Sequence, residues 1–279
     1  MCGCLSIENL RLEGEVDLTE EDMVVDIGDP VLTDALFIER GILTLIFGHA
    51  FTGKTTLALA ASINEAANAG RVFYIDTENG VSPARVRKLL SARGITLDAI
   101  KGKLKLIRAF ELREVLGYAG YAMKMRYSLI VIDSISRVYL AESRKRDREE
   151  VAHDIYVALN DLQRRAAEEG AAIILTSETC KKQPSVVDLE GLNPHQLLAL
   201  NESPWPMEAL GSLAKIAIGL LIVNGRRYAY VERHRSKPSI YEDLRYYEFK
   251  IVESGLKYVG SVEFMGSKVA YRVPVSSPP

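Results

Sequence analysis

The chain has 279 residues, 48% of them hydrophobic and 26% charged, with a formal net charge of −2. That length allows one large domain or two small ones, with a core that needs no disulfides, and the composition excludes a disordered or fibrous chain. The near-zero charge excludes a global pull on nucleic acid, so any such contact must come from a local patch.

Cys2, Cys4 and Cys180 are too few and too badly spaced for a disulfide framework, which suits a reducing cytoplasm. Cys2-Gly3-Cys4 is only half of a zinc site. No apolar run reaches the ~20 residues of a membrane span, and no basic start followed by an apolar stretch marks a secretory signal.

Met1–Arg40 is short, acidic and weakly patterned, and reads as a lead-in. From Gly41 to Val275, apolar strands alternate first with helices and then with turns, which predicts one α/β domain; Ser276–Pro279 is a loose tail. Ile42–Phe47 is a β-rich run. It is followed by Gly48-His49-Ala50-Phe51-Thr52-Gly53-Lys54-Thr55, which fits G-x-x-x-x-G-K-[ST], and then by an Ala/Leu-rich helix beginning at Thr55-Thr56. Strand, glycine loop and helix form a phosphate cradle. Backbone N–H groups face the phosphates, Lys54 reaches the β/γ-phosphates, and the Thr55 hydroxyl is placed to ligate Mg²⁺. ATP and Mg²⁺ are therefore the expected cofactors.

Arg71–Asp76 is the next strand. Ser82 then supplies an N-cap and Pro83 the first helical residue. Leu104–Ala109 is a further strand, Glu111–Arg126 a helix weakened by Gly117 and Gly120, and Ser128–Asp133 an apolar strand ending in a carboxylate. Asp147–Glu169 carries Val151, Ile155, Leu159, Leu162 and Ala166 at helical spacing, and Ala171–Thr176 returns as a strand. Cys180–Pro206 is a long proline-containing loop, of a kind that is usually functional or disordered. A helix over Met207–Lys215 precedes two β-hairpins, around Asn224-Gly225 and Ser254-Gly255.

In a mostly parallel sheet, ligands sit beyond the carboxyl ends of the strands. Asp133 ends a strand there and suits the acidic residue that holds Mg²⁺ through water; the plainer alternative is an Asp opening the next turn. Asp76-Thr77-Glu78 ends another strand. Glu78 is placed to activate a water against the γ-phosphate, with Asp76 as competitor and a surface or capping carboxylate as the plain alternative. Arg144, Lys145, Arg146 and Arg148, then Lys181 and Lys182, then Arg235 and Lys237, are basic segments that read either as solvated faces or as phosphate contacts, to DNA or to a neighbour's nucleotide. Trp205 between two prolines reads as a loop anchor, with base stacking as the alternative.

These pieces together resemble the RecA/RadA recombinase family and are most similar to its archaeal RadB-like paralogues. The resemblance rests on GHAFTGKTTLAL at Gly48–Leu59, VFYIDTENGVSPARV at Val72–Val86, SLIVIDSISRVY at Ser128–Tyr139, IILTSET at Ile173–Thr179 and YVERHRSKP at Tyr230–Pro238. It implies a RecA-like P-loop NTPase core, a mostly parallel central sheet flanked by helices with C-terminal antiparallel hairpins. It assigns Lys54 and Thr55 to phosphate and Mg²⁺, Glu78 to water activation and Asp133 to the metal. It also matches Arg144–Arg148 and the loop holding Lys181-Lys182 to DNA-facing loops, and Arg235 and Lys237 to a phosphate at a subunit interface.

The same resemblance implies a weak ATPase that assists homologous recombination and DNA repair, with single-stranded DNA, a recombinase or a second copy as partner and no membrane. Three departures weigh against strand exchange. Ser177-Glu178 stand where the family usually has Asn-Gln, the Gly-rich lead-in before the loop is missing, and no Phe-x-x-Ala tether precedes the core. The rival readings are a nearly inactive ATP-binding regulator with little DNA contact, and a KaiC-like signalling ATPase or kinase. The latter calls for paired glutamates where Glu78-Asn79 supplies one.

Overall fold

The computed structural model describes residues 23–179, 204–237, 245–265 and 268–272. Lys181 and Lys182 lie outside the described residues, as do Cys2, Cys4, Cys180 and the chain's last residues.

Elements follow in chain order: α1 (Pro30–Leu36), β1 (Leu43–Gly48), α2 (Lys54–Ala67), β2 (Val72–Asp76), α3 (Pro83–Ala92), α4 (Leu97–Ile100), β3 (Leu104–Arg108) and α5 (Leu112–Lys124). Then come β4 (Leu129–Asp133), α6 (Ile135–Glu142), α7 (Arg148–Glu169), β5 (Ala172–Ser177), α8 (Met207–Leu210), β6 (Ile216–Val223) and β7 (Arg226–Arg233). β8 (Arg245–Val252), β9 (Gly255–Met265) and β10 (Lys268–Arg272) complete the described chain.

All ten strands join one sheet in the order β10-β9-β8-β7-β6-β1-β5-β4-β2-β3. From β6 to β3 the pairs are parallel, and from β6 to β10 they are antiparallel. The inner parallel strands β1, β2, β4 and β5 are buried along their whole length and read as largely apolar runs, because both faces are covered. Leu43, Leu45 and Phe47 of β1 join a core with α5, α6 and α7, while Ile46 joins a second core with α2 and α3. The mixed sheet with flanking helices and C-terminal antiparallel strands is the architecture expected from the sequence.

Local signals explain most element ends. The Ser82 hydroxyl accepts from Arg85 N and Asp147 accepts from Glu149 N and Glu150 N, satisfying the first amides of α3 and α7. Gly170 ends α7 in the left-handed region. The segment read as a lead-in contributes more than its weak pattern suggests. Val25, Ile27, Leu32, Leu36 and Ile38 are buried in the α2 core, because α1 is capped by Asp29 and its apolar residues fall on one side. Arg93 locks that segment in place: its guanidinium donates to Ser254 O (2.6 Å) and Ile27 O (3.3 Å) and to Asn64 Oδ1.

Candidate active site

The phosphate loop leaves the carboxyl end of β1 through a backbone that its glycines make possible. Gly48 has φ 153°, and a Cβ there would lie 2.1 Å from the Leu220 carbonyl oxygen of β6. Gly53, with φ 118°, is the N-cap of α2. Between them Phe51 adopts a left-handed φ of 67°, with its side chain 87% exposed. Side-chain bonds help hold this turn. Thr52 Oγ1 donates to His49 O (2.9 Å), and Arg227 Nε donates to Phe51 O (3.3 Å) from outside the loop. Lys54 is 8% exposed, and its ammonium donates to Gly48 O (2.7 Å) and His49 O (2.8 Å). It therefore lies across the loop, at neutral oxygens that a phosphate would outcompete by charge.

Strand register brings the carboxylates to the same edge: Asp76 of β2 pairs with Asp133 of β4. Asp133 is 4% exposed and accepts hydrogen bonds from Tyr74 Oη (2.6 Å) and from the Thr176 and Thr55 hydroxyls. Burial pushes its carboxyl above the ordinary carboxylate range, against the pull of those three hydroxyls, and the nearby Glu78 charge adds to the rise. Such a carboxylate gains from a cation. The Thr55 hydroxyl beside it completes a hard-oxygen pair of the kind Mg²⁺ uses when it keeps several waters. These residues fit the ion. Bound there, Mg²⁺ would neutralise charge on the transferring phosphoryl group.

The geometry separates the two candidate bases. Asp76 is fully buried and accepts from Glu78 N (3.1 Å), Gly80 N (3.1 Å) and Val81 N (2.9 Å). Its lone pairs are committed to shaping the loop. Glu78 is exposed, and its carboxylate accepts one bond, from Ser134 Oγ (2.5 Å). Ser134 Oγ lies 3.2 Å from Ser136 Oγ, which in turn accepts from Glu178 N (2.9 Å). A file of hydroxyls thus joins Glu78 to the backbone of Glu178. Thr77 clamps the same turn, with Oγ1 accepting from Ser134 N and donating to Ser134 O. Arg85 braces it from the other side, donating to Thr56 Oγ1 (2.7 Å) and Gly80 O (3.2 Å).

Trp205 is an anchor. It packs edge-on against Tyr139 with 6.1 Å between centroids. Its N donates to Glu178 O and its O accepts from Ser177 Oγ. With the Thr179–Pro204 bridge, this pins together both ends of the segment holding Lys181 and Lys182.

Several of the basic residues expected to contact phosphate have partners within the chain. Arg144, Lys145, Arg146 and Arg148 lie exposed at the α6–α7 junction, interleaved with Glu142, Asp147, Glu149, Glu150 and Asp154. Arg146 pairs with Asp154 (2.9 Å) and Glu150 (3.7 Å), and Lys145 with Glu142 (3.4 Å). The junction therefore carries no basic excess. Arg235 Nε donates to buried Glu39 (2.6 Å), which Ser236 Oγ also approaches at 3.0 Å. Lys237 donates to Asp34 O and Ala35 O, both at 2.8 Å, at the end of α1. In the single chain both cations hold the α1 segment. Among the described residues, no group of three or more His, Cys, Asp or Glu could hold a metal, and no helix is long and apolar enough to cross a membrane.

The family model described as Rad51 matches residues 27–190, more than half of the chain and all of the strand ends just described. The chain belongs to the Rad51 family. Among Rad51-family relatives, a protein of Thermococcus sibiricus named DNA repair and recombination protein RadB is 30% identical over 81% of this chain and 90% of its own length. Proteins of the same name from Pyrococcus abyssi and Halobacterium salinarum are each 27% identical, over 80% and 86% of this chain and 87% and 97% of theirs. The solved structure described as the crystal structure of the RadB recombinase shares the fold, with a TM-score of 0.65 at 24% identity, covering 84% of this chain and 99% of that one.

Tyr74, Thr176, Ser134 and Ser136 were not singled out by sequence reasoning. A lone Thr in the apolar β5 run and two serines after Asp133 were the available signals, but only strand register turns them into partners of Asp133 and Glu78.

Proposed function

We propose that this Rad51-family chain binds ATP with Mg²⁺, hydrolyses it slowly, and assists homologous recombination and DNA repair. In this reading it acts on single-stranded DNA or alongside a recombinase or a second copy, and is not itself the strand-exchange enzyme. The observation that carries the reading is the convergence of Lys54, the Thr55–Asp133 pair and the exposed Glu78 carboxylate at one sheet edge, with Asp76 committed elsewhere. Members of the family are ATPases, and the relatives' names supply the recombination and repair setting. Hydrolysis would need a water held between Glu78 and the γ-phosphate, with the loop amides and Lys54 stabilising developing charge. Weak coupling to DNA follows from Glu178. An ionised Glu accepts hydrogen bonds but cannot donate one to a phosphate, and its backbone N–H is already bound by Ser136.

The test is steady-state ATP hydrolysis by purified protein, alone and with single-stranded DNA, at several salt concentrations. Slow turnover, stimulated less than about threefold by DNA, is expected, and a non-hydrolysable ATP analogue should tighten DNA binding by less than about threefold, a coupling below the usual ~1–3 kcal/mol. Absence of ATP binding overturns the reading. A tenfold tightening of DNA binding by a non-hydrolysable ATP analogue restores an active recombinase.

A further inference from the structure

Glu78 is the least confined of the charged groups at the sheet edge. Its side chain is exposed, and it stands on the loop after β2, beside Asn79 with its left-handed φ of 58°. An exposed Glu samples several rotamers unless something holds it, yet a base must meet its water from one position. Among the described residues, the hydrogen bond that reaches the Glu78 carboxylate comes from Ser134 Oγ, to Oε1 at 2.5 Å. Ser134 is itself rigidly placed. It is buried just after β4, and Thr77 at the neighbouring strand end grips the Asp133–Ser134 backbone. Thr77 N donates to Asp133 O (2.8 Å), Ser134 N donates to Thr77 Oγ1 (2.8 Å), and Thr77 Oγ1 donates to Ser134 O (2.9 Å). The Thr77 hydrogen is thus spent on a carbonyl and cannot serve Glu78. A serine hydroxyl has one hydrogen and an ionised Glu can only accept, so the Ser134 hydrogen belongs to Glu78. Ser136 Oγ, also buried, stands 3.2 Å behind and is the donor in that pair of serines.

We propose that Ser134 is a positioning residue for ATP hydrolysis, with Ser136 as its support. The Ser134 hydroxyl takes Oε1 of Glu78 and leaves Oε2 to accept a proton from the attacking water. The inference rests on the function proposed above and names the group that makes its base competent. In the step, the water oxygen bonds to the γ-phosphorus as the bond to the β–γ bridging oxygen breaks. The water proton goes to Glu78 Oε2, and ADP leaves with the bridging electron pair. Ser134 keeps its own proton throughout and acts only through Glu78. A charge-assisted bond from a donor that the fold has already fixed needs no rearrangement during the reaction. Misplacing a reacting group by about 1 Å costs on the order of 10²-fold, so one hydroxyl on a mobile carboxylate has a large kinetic effect.

The experiment measures single-turnover hydrolysis of radiolabelled ATP by excess full chain with Mg²⁺, together with nucleotide titration and thermal melting. Ser134→Ala should leave ATP affinity within about twofold and slow hydrolysis by about tenfold. Ser134→Thr, which keeps the hydroxyl, should restore most of the rate, and Ser136→Ala should cost only about threefold. Should the alanine variant unfold, Ser134→Cys, with its weak donor, carries the same expectation. In a Glu78→Gln background, Ser134→Ala should add no further loss, because it acts through the residue already removed. A merely structural role would slow both backgrounds alike and lower the melting temperature, which overturns the inference. A wild-type rate in Ser134→Ala beside a slow Glu78→Gln also overturns it, alone. A faster rate overturns it too, since the bond would then be holding the base away from its water. A wild-type rate in Glu78→Gln, or a wild-type chain that binds ATP without hydrolysing it, overturns the underlying reading and this inference with it.

Discussion

At the carboxyl ends of β1, β2 and β4, the groups that chemistry needs are already bonded to protein. Lys54 is held by loop carbonyls, Asp133 by three hydroxyls and Glu78 by Ser134. Along β3 and α5, lysines and tyrosines present themselves to solvent over a packed aromatic base. The contrast is between polar groups held in one geometry by the protein and side chains that face solvent. Preorganised donors suit a transition state, where misplacement by about 1 Å is costly.

The largest expected effects lie at the first site. Lys54→Ala should abolish ATP binding or turnover without unfolding the chain, read by nucleotide titration and circular dichroism. Unchanged affinity and turnover would remove the phosphate-loop assignment. Glu78→Gln should keep ATP binding and lower kcat by about 10²–10⁴; a loss below about fivefold would hand the role of base to another group.

Two buried carboxylates sharpen the comparison through pH. Asp133 is raised by burial, so in the window above the ordinary carboxylate value the folded chain holds a proton that the unfolded chain has lost. Its contribution to stability is present in acid and is lost as pH rises through its folded value. Mg²⁺ opposes that loss, so Mg²⁺-dependent nucleotide binding should weaken at mildly acid pH, ahead of ordinary carboxylate titration. Calorimetric titration at stepped pH measures this, and a flat profile would contradict it.

Glu65 behaves oppositely. Burial pushes its carboxyl up, but the bonds from Arg40 (2.7 Å) and Ser128 (2.5 Å) outweigh burial and hold it below its usual value. Its stabilisation is present at neutral pH and is lost as pH falls through that lowered value. Arg40→Ala should cost about 2 kcal/mol by denaturant melting, less than a fully buried pair, because Arg40 is 26% exposed. The smallest effect is expected at the α6–α7 junction. Arg146→Glu should change DNA affinity less than about twofold, since Glu150 and Asp154 already pair with that charge.

What the sequence disclosed was local. The phosphate loop, the carboxylates ending apolar strands, the cap at Ser82 and the Asn224-Gly225 turn each depend on residues within a few positions of one another. Hidden from it were consequences of pairing at long range. Arg144–Arg148 read as a basic run because Asp154 meets Arg146 only once α7 is wound. The Val25–Ile38 segment looked unpatterned because its apolar residues pack onto α2 and not onto each other. Nothing along Leu104–Arg108 says that β3 is an edge; strand order decides that.

The file of hydroxyls from Glu178 to Glu78 has a direction. An amide N–H donates to Ser136, leaving the Ser136 hydrogen for Ser134 and the Ser134 hydrogen for Glu78. An amide N–H cannot act in turn as an acceptor, so the file is closed at one end. A proton arriving on Glu78 can rotate the serines but has no exit along them, and it must return to water. The row therefore carries polarisation, and no protons, towards the pinned base of the Glu178–Trp205 segment.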